Sequence, residues 1–348
     1  MIRRPRILVA LAAAALALTA CSSGGTGEEP ASPTGTDGPT NTGGAANTEG
    51  APTTIEHAFG ETVVPADPHS VVTLGWGSAD AAIAVGVVPT AMESQPYGGD
   101  ENGVLPWIQE ELTDLGAATP VMLPVSAEEP AYEEIAAASP DLILAVYSGI
   151  TAEQYELLSQ IAPTVAYPDE AWSTPWRQVV EIVGEALGRT TEAATVLADI
   201  DDTLERAAAD HPEFAGKTIA ATWDVSGTFY VYKPADPRVG FLRDLGFVDA
   251  PAVTELANGD ETFYYTLSHE RLSELDSDVL VSYADTPEQE EAFLAAPYAA
   301  TIPAVTSGAV ASITGPELVA AVSPPTALSL TWGLDSYLEA LSAAAKAA

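Results

Sequence analysis

The sequence contains four histidines, the side chain that most commonly binds transition metals. A zinc or manganese site needs two or three of them converging with carboxylates. They lie in a predicted hairpin, in a turn, after a predicted helix and at the start of another: His57, His69, His211 and His269. None stands at the carboxyl end of a predicted core strand, where open α/β sheets bind ligands. The sequence therefore predicts no histidine metal site.

Motifs of nucleophilic and phosphate-transfer catalysis are missing from the sequence. The run Gly75-Trp-Gly-Ser78 does not have the spacing of a Gly-x-Ser-x-Gly nucleophile elbow. There is no Ser-x-x-Lys pair and no Gly-x-x-x-x-Gly-Lys phosphate loop. With 50 acidic residues, neighbouring carboxylates arise by chance and identify no acid–base pair. We therefore predict that the chain is not an enzyme and has no cofactor of its own.

Aromatic side chains after predicted strands and in loops are the strongest sign of a binding site. In a two-lobed α/β protein the carboxyl ends of the strands face the cleft between the lobes, so rings at these positions can line one ligand site. Any single one of them is as readily a core residue, but so many at such positions favour the cleft. The candidates are Trp76, Tyr97, Trp107, Tyr147, Trp172, Trp176 and Trp223.

Short apolar strands that alternate with helical stretches predict an α/β fold. Residues 53–173 form a first lobe of ordinary domain size. From 174 to 209 the apolar residues keep helical spacing, interrupted by a Gly-Arg-Thr run, so this segment is two helices or one broken helix. A second α/β lobe follows at residues 210–348. The predicted architecture is two α/β lobes bridged by a long, rigid helical connection, with the ligand cleft between the lobes.

Local signals place some elements near the predicted cleft. Ser78 is expected to cap a helix, and the Gly-rich stretch Tyr97–Trp107 reads as a loop. In the second lobe we expect helices near Ser268–Leu275 and near Pro324–Ala345. A helix near Asp236–Leu245 completes the elements expected to position the site.

The charge balance excludes whole classes of partner. Lys and Arg number 12 against 50 Asp and Glu. Three of the basic residues, Arg3, Arg4 and Arg6, lie in a predicted signal segment. A processed chain would keep 12 − 3 = 9 basic residues against 50 acidic ones, which gives a formal net charge of 9 − 50 = −41. Such a surface repels nucleic acid and anionic headgroups, since phosphate binding needs clustered Lys and Arg. We predict no nucleic-acid partner.

The N-terminus predicts where the protein works. Residues 1–20 have a basic head, a short apolar run and small residues before Cys21, which is typical of a secretory signal. Leu18-Thr-Ala-Cys21 resembles a lipobox, in which the thiol takes a diacylglyceryl group, and stable anchoring needs two or more acyl chains. Residues 21–52 are a polar stretch expected to be a flexible tether. We expect an extracytoplasmic protein anchored to the outer face of the cell membrane through lipidated Cys21.

Over roughly residues 55–345 the sequence resembles the siderophore- and cobalamin-type periplasmic binding proteins of ABC importers. None of the matching segments is specific alone, but the order and spacing of the segments along the chain are fairly specific together. The segments that carry the resemblance are Pro68–Trp76 with Asp80, Ala84–Pro89, Tyr132–Leu144, Val183–Gly188 and Leu267–Leu272 leading to Asp278–Val281. The resemblance implies a monomeric lipoprotein that captures a ferric siderophore and delivers it to an ABC permease, with iron carried inside the ligand. A stiff bridge further implies small lobe closure.

The same resemblance implies two docking residues. In this family one exposed glutamate on each lobe enters an arginine pocket of the permease, and motif matching places these at Glu133 and Glu270. Glu134 is the alternative to Glu133. The residues alone decide nothing here, because acidic side chains are favoured in the first turn of any helix.

The distribution of basic residues bears on the ligand. No Lys or Arg occurs between Arg6 and Arg177, so the first lobe has no cation with which to hold an anionic ferric catecholate. A neutral or cationic ferric hydroxamate, held by aromatic rings, is preferred. Arg177 and Arg238 are the candidate basic ligand contacts, and Arg243 could also supply charge.

Two alternatives stay open. The same scaffold could bind haem, cobalamin or another chelate, although the mature chain would keep only Met92 and Met122 and its histidines are poorly placed for haem ligation. A surface enzyme or adhesion protein is the alternative from a different class.

Overall fold

The computed structural model of the chain describes residues 52–126 and 129–348. The predicted signal segment, the predicted lipid-attachment residue Cys21 and the predicted tether up to residue 51 lie outside the described residues.

The first lobe begins with an antiparallel hairpin and continues into a parallel sheet. The hairpin consists of β1 (Thr53–His57) and β2 (Gly60–Val64). The sheet has the order β5-β4-β3-β6-β7. Its strands are β3 (Val71–Thr73), β4 (Ala91–Glu93), β5 (Val121–Leu123), β6 (Leu142–Ala145) and β7 (Thr164–Ala166). The central strands β3 and β6 are buried at every position, which explains their uninterrupted apolar sequences.

Four helices cover this sheet: α1 (Ser78–Ala84), α2 (Pro106–Asp114), α3 (Tyr132–Ala137) and α4 (Ala152–Ser159). The prediction that Ser78 caps α1 is wrong. Gly77, in a left-handed conformation with φ of 77°, occupies the cap position, and Ser78 Oγ accepts a hydrogen bond from Val146 N. The loop expected up to Trp107 instead ends at Leu105. Helix α2 begins at Pro106, because proline suits the first position of a helix.

Two helices connect the lobes: α5 (Trp176–Ala186) and α6 (Thr190–Asp210). Of the two alternatives for residues 174–209, the structure therefore has two separate helices. The break falls at Gly188, whose φ of 65° favours glycine. Gly184 lets the two helices approach closely, since a Cβ there would lie 2.5 Å from Ala193 Cβ. The amphipathic α5 packs on α1, and α6 contacts helices of the second lobe.

The second lobe contains a mixed sheet of order β11-β9-β8-β12-β13, with β10 beside the first residues of β8. Strands β8, β12 and β13 are parallel, and β9 runs antiparallel to β8. The strands are β8 (Thr218–Val225), β9 (Thr228–Tyr232), β10 (Val248–Asp249), β11 (Tyr264–Leu267), β12 (Val279–Ala284) and β13 (Val310–Thr314).

The α-helices of this lobe are α7 (Pro237–Asp244), α8 (Pro251–Glu255), α9 (Pro287–Ala295), α10 (Pro303–Ser307), α11 (Pro316–Val322) and α12 (Ser329–Ala347). Short 3₁₀ helices lie at Pro212–Phe214, His269–Glu274 and Ala299–Thr301. Two expectations need correction here. The helix expected near Ser268–Leu275 is a 3₁₀ helix, and the helix expected near Pro324–Ala345 begins only at Ser329, as α12.

One hydrophobic core continues through both lobes. Val71 and Leu144 of the first sheet belong to the same packed cluster as Val281 and Ile313 of the second, joined through α5, α6 and α12. Because close-packed interiors resist deformation, this shared core supports the expected small closure of the lobes. No helix among residues 52–126 and 129–348 is long and apolar enough to cross a membrane.

Candidate functional site

The inner part of the interlobe cleft is a narrow, mostly apolar pocket, whose 280 Å³ of space includes open solvent. Trp76 and Tyr147 enter it from the loops that follow β3 and β6. Trp176 and Val180 line it from α5, and Pro237 closes it from the second lobe. The structure thus brings three of the predicted aromatic residues together from two elements of the first lobe and from the bridge. They lie where the carboxyl ends of the first sheet face the second lobe.

The outer part of the cleft is a wider opening between the segments 167–172 and 260–263, with about 780 Å³ of space that includes the solvent at its mouth. Trp172 lines it and is 40% exposed. The ring of Trp172 packs edge-on against Tyr147, with centroids 5.7 Å apart. Gly149 makes room for it, because a Cβ at that position would lie 2.1 Å from Trp172 Nε1. Phe263 lines the opposite wall. Such a space suits a ligand of drug size or larger.

Tyr97 connects the two lobes at one side of the cleft. Its hydroxyl donates a hydrogen bond of 2.9 Å to Asp285 Oδ1, at the carboxyl end of β12. Its ring lies 6.2 Å from that of Trp223, which in turn lies 6.2 Å from Tyr283. Burial and the neighbouring carboxylate of Asp285 raise the pKa of Tyr97, so the phenol stays protonated and donates. The predicted cleft residues Tyr97 and Trp223 are therefore adjacent although they come from different lobes.

Arg238 lies in the second lobe at the start of α7 and is buried. Its Nε is 2.8 Å from Asp236 Oδ1, and its guanidinium lies over the ring of Tyr232 at 3.8 Å. Burial lowers the pKa of Arg238, but the charge of Asp236 outweighs that effect and the net shift is upward. Tyr147 of the first lobe is near enough to influence this pKa as well. The pair therefore flanks Pro237, which lines the cavity, as a group without net charge.

Arg177 is only partly buried, and its guanidinium is paired with two carboxylates of the protein. Its Nε donates to Asp201 of α6 at 3.0 Å, and its Nη1 donates to Asp244 at the end of α7 at 2.7 Å. Its guanidinium also lies 4.3 Å from the ring of Trp176. These contacts join the bridge to the second lobe, so the structure gives Arg177 a positioning role, and ligand contact stays a prediction.

Trp107 lies in the hydrophobic core rather than on the cleft wall. It is 2% exposed, and its Nε1 donates a hydrogen bond of 2.6 Å to the buried carboxylate of Asp80. Asp80 also accepts a hydrogen bond from Thr326, in the segment between α11 and α12. Burial raises the pKa of Asp80, and this effect outweighs the two hydrogen bonds, which lower the pKa. The expectation that Trp107 lines the ligand site is not supported by this position, because the helix that starts at Pro106 turns the ring inward.

The predicted docking glutamates lie on opposite lobes and are both exposed. Glu133 is in the first turn of α3, with Glu134 beside it, and Glu270 is in the 3₁₀ helix that follows β11. Both elements begin at the carboxyl edge of their sheets, since α3 follows β5 and β11 runs in the direction of β8. The two residues therefore lie on the same side of the molecule as the cleft.

The four histidines lie in different parts of the fold. His57 is buried in the hairpin, and burial lowers its pKa. His269 stacks on Tyr298 with ring centroids 3.9 Å apart. Among the residues that the structure describes, no group of three or more His, Cys, Asp or Glu side chains could hold a metal ion.

Several residues at the cleft were not selected from the sequence, namely Asp236, Asp285, Tyr232 and Phe263. Asp285 had a usable signal, because it directly follows a strand of the second sheet. Asp236 also had one, as an Asp-Pro pair at the start of a predicted helix. Tyr232 and Phe263 gave no signal that separates them from core aromatics.

Known substrate-binding proteins have a similar fold. The iron uptake ABC transporter substrate-binding protein PiaA of Streptococcus pneumoniae is 32% identical and superposes with a TM-score of 0.75 over 85% of this chain and 100% of that one. Its complex with ferrichrome gives 33% identity and a TM-score of 0.76, over 85% and 99%. A periplasmic solute binding protein of Mycobacterium smegmatis is 32% identical, with a TM-score of 0.71 over 83% and 97%.

A curated relative, the ferric-anguibactin-binding protein FatB of Vibrio anguillarum, is 28% identical over 218 residues. That match covers 59% of this chain and 61% of FatB, less than two thirds of the relative's length. Residues 71–316 match the family described as periplasmic binding protein. This match spans both sheets, and it confirms the prediction of a binding protein rather than an enzyme. The chain belongs to the periplasmic binding protein family.

Proposed function

We propose that this protein captures a ferric hydroxamate siderophore in the cleft between its lobes and hands it to an ABC permease. The observation that carries the proposal is the charge of the cleft. Each of the three arginines that could attract an anionic chelate has a carboxylate partner: Arg177 with Asp201 and Asp244, Arg238 with Asp236, and Arg243 with Asp249. The first lobe adds no basic side chain. A cleft of this kind suits a ligand without negative charge.

Chelate chemistry makes this charge decisive. Three hydroxamates balance the charge of ferric iron and give a neutral complex, whereas a ferric tricatecholate is strongly anionic. Desolvating an anion without a compensating cation is costly, so the cleft disfavours the tricatecholate. The rings of Trp172, Tyr147 and Trp76 offer the apolar and stacking contacts that a neutral chelate needs. The similarity to PiaA, whose complex with ferrichrome is known, supports the same ligand class.

The rest of the proposal concerns place and partners. We propose that the mature protein is a monomer held at the outer face of the cell membrane by lipidated Cys21, with residues 21–52 as the tether. Iron arrives inside the ligand, and Glu133 and Glu270 dock on the permease. Cys21→Ser should release the protein from the membrane fraction of expressing cells without changing ligand binding by the soluble domain. Retention of this variant in the membrane fraction would contradict the anchor.

Ligand binding is tested by quenching of tryptophan fluorescence in titrations with ferrichrome, ferrioxamine B and a ferric tricatecholate. We expect saturable binding of one or both hydroxamates and much weaker binding of the tricatecholate. Trp172→Ala should weaken hydroxamate binding about tenfold, since losing a well-packed ring costs about 1.5 kcal/mol. The control is Trp332→Phe, at a ring that donates to Glu110 away from the cavity. Tight tricatecholate binding without hydroxamate binding would refute the ligand class.

A further inference from the structure

Asp236 sits at the junction of the cleft and helix α7 with a side chain that is 0% exposed. Its Oδ1 accepts the backbone N–H of Arg238 at 2.9 Å and so caps the helix. The same oxygen lies 2.8 Å from Arg238 Nε. Within the described residues its Oδ2 is buried and has no hydrogen-bond partner. The carboxylate therefore meets one cation closely and keeps one oxygen unused.

The ion pair of Asp236 and Arg238 lies beside the interlobe cavity. Pro237, between the two residues, lines the interlobe cavity together with Tyr147 of the first lobe. The guanidinium rests on Tyr232, whose ring is 6.1 Å from that of Tyr283. The groups that surround Arg238 are thus phenols and Asp236, and Asp236 is the partner with which the structure shows an ion pair.

Helix capping does not explain the charge of Asp236. Asparagine caps a helix about as well as aspartate, because the cap needs only a side-chain oxygen acceptor. Stability does not explain it either, since the desolvation of a buried ion pair commonly offsets its attraction. What the carboxylate does, and a neutral cap could not do, is cancel the charge of Arg238.

We propose that Asp236 is a specificity-determining residue that masks Arg238 and thereby excludes anionic ferric chelates from the cleft. This inference rests on the proposed function and adds the residue that sets the charge preference. Removing the carboxylate leaves the cation of Arg238 in a partly dry site, where an unscreened charge acts strongly on a ligand. The preference between neutral and anionic chelates should then shift toward the anion.

The test compares wild type with Asp236→Asn, which keeps the helix cap and removes the charge. Dissociation constants for ferrichrome and for a ferric tricatecholate are measured at one pH and two salt concentrations. We expect the ratio of tricatecholate to ferrichrome affinity to rise about tenfold or more, and the gain to shrink at high salt. Asp249→Asn is the matched control, because it removes a carboxylate from the Arg243 pair of the same lobe. The control should leave the ratio unchanged.

The double variant Asp236→Asn/Arg238→Gln should return the ratio to the wild-type value. An unchanged ratio in a folded Asp236→Asn protein, or an equal rise in Asp249→Asn, would overturn the inference. If Asp236→Asn does not fold, Arg238→Gln replaces it. That variant unmasks the carboxylate instead, so the preference for cationic ferrioxamine B over ferrichrome should rise, and a constant preference would overturn the inference. Failure of wild type to bind any ferric hydroxamate would refute the proposed function itself, which is a distinguishable result.

Discussion

Tyr97 and Asp285 join the two lobes directly, through a hydrogen bond of 2.9 Å between a phenol and a carboxylate. They are 188 residues apart in the sequence. The following residue, Gly98, packs so closely on the second lobe that a Cβ would lie 2.7 Å from Ala320 Cβ and 2.9 Å from the carbonyl oxygen of Pro316. This contact closes one side of the cleft and limits how far the lobes can separate there.

Replacing Tyr97 with Phe should loosen this contact. The ring would still pack against Trp223, but Asp285 would lose its donor. We expect the free energy of unfolding to fall by about 1 kcal/mol, the usual net contribution of such a bond. We also expect the bound chelate to dissociate several-fold faster. Urea unfolding and stopped-flow fluorescence measure the two effects.

Tyr230→Phe is the matched control, since that hydroxyl makes no hydrogen bond with the residues that the structure describes and its ring packs on Tyr264. Equal dissociation rates in both variants would show that the hydroxyl of Tyr97 does not hold the lobes together.

The main strands could be predicted because burial on both faces forces an apolar run. Leu142–Ala145 is one such run, bounded by Pro140-Asp141 and by Ser148. The short strands β10 and β11 could not be predicted in this way. β11 alternates buried and exposed residues over only four positions, and β10 is two residues long, so neither has a period long enough to recognise. Their existence depends on pairing with β9 and β8.

The site was predictable where chain direction alone decides the position of a side chain. Trp76 and Tyr147 follow parallel strands, so they had to lie at the carboxyl edge of the first sheet. Trp107 has the same residue type, but its orientation depends on the start of a helix at Pro106. Pairings such as Tyr97 with Asp285, far apart in the sequence, depend on tertiary packing and leave no periodic signal.

Arg177→Met should separate the structural role of this arginine from a ligand-binding role. The variant removes the hydrogen bonds to Asp201 and Asp244 while keeping an apolar stem near Trp176. Because the three charged side chains are partly exposed, we expect a loss of only about 1 kcal/mol in unfolding free energy. The ferrichrome dissociation constant should change less than about twofold. A tenfold change would correspond to about 1.4 kcal/mol of binding free energy. Arg206→Gln, at an exposed arginine of the neighbouring helix α6, is the control for stability. A large loss of affinity without loss of stability would restore Arg177 as a ligand contact.

His57 should make the hairpin sensitive to acid. Its Nδ1 accepts the N–H of Phe59 at 3.2 Å, so the neutral ring carries its proton on Nε2, 2.9 Å from Thr62 Oγ1. Burial holds the pKa of His57 below the usual histidine value of about 6.5, so the folded state binds fewer protons than the unfolded state. The stabilising contribution is therefore complete above about pH 6.5 and is lost as the pH falls below that value.

The measurement compares urea unfolding of wild type and His57→Asn from pH 7.5 to pH 5. We expect the variant to be less stable at the higher pH and the difference to narrow as the pH falls. His69→Asn, at an exposed histidine in the turn before β3, controls for a general histidine effect. A difference that stays constant over this range would contradict the role given to His57.

Glu133 and Glu270 give the prediction that separates binding from delivery. Both are exposed at the cleft side of their lobes, and neither lines the interlobe cavity or the wider opening described above. Glu133→Ala/Glu270→Ala should therefore bind ferrichrome with the wild-type dissociation constant. Uptake of radioactive iron from ferrichrome by cells that carry the matching permease should fall at least about tenfold, because each lobe loses a charge that an arginine pocket would bind. Glu134→Ala/Glu192→Ala removes the same number of exposed charges and should leave uptake intact. Uptake lost in the control but kept in the first variant would move the docking site to Glu134, and uptake kept in both would refute docking through the glutamates of α3 and of the 3₁₀ helix.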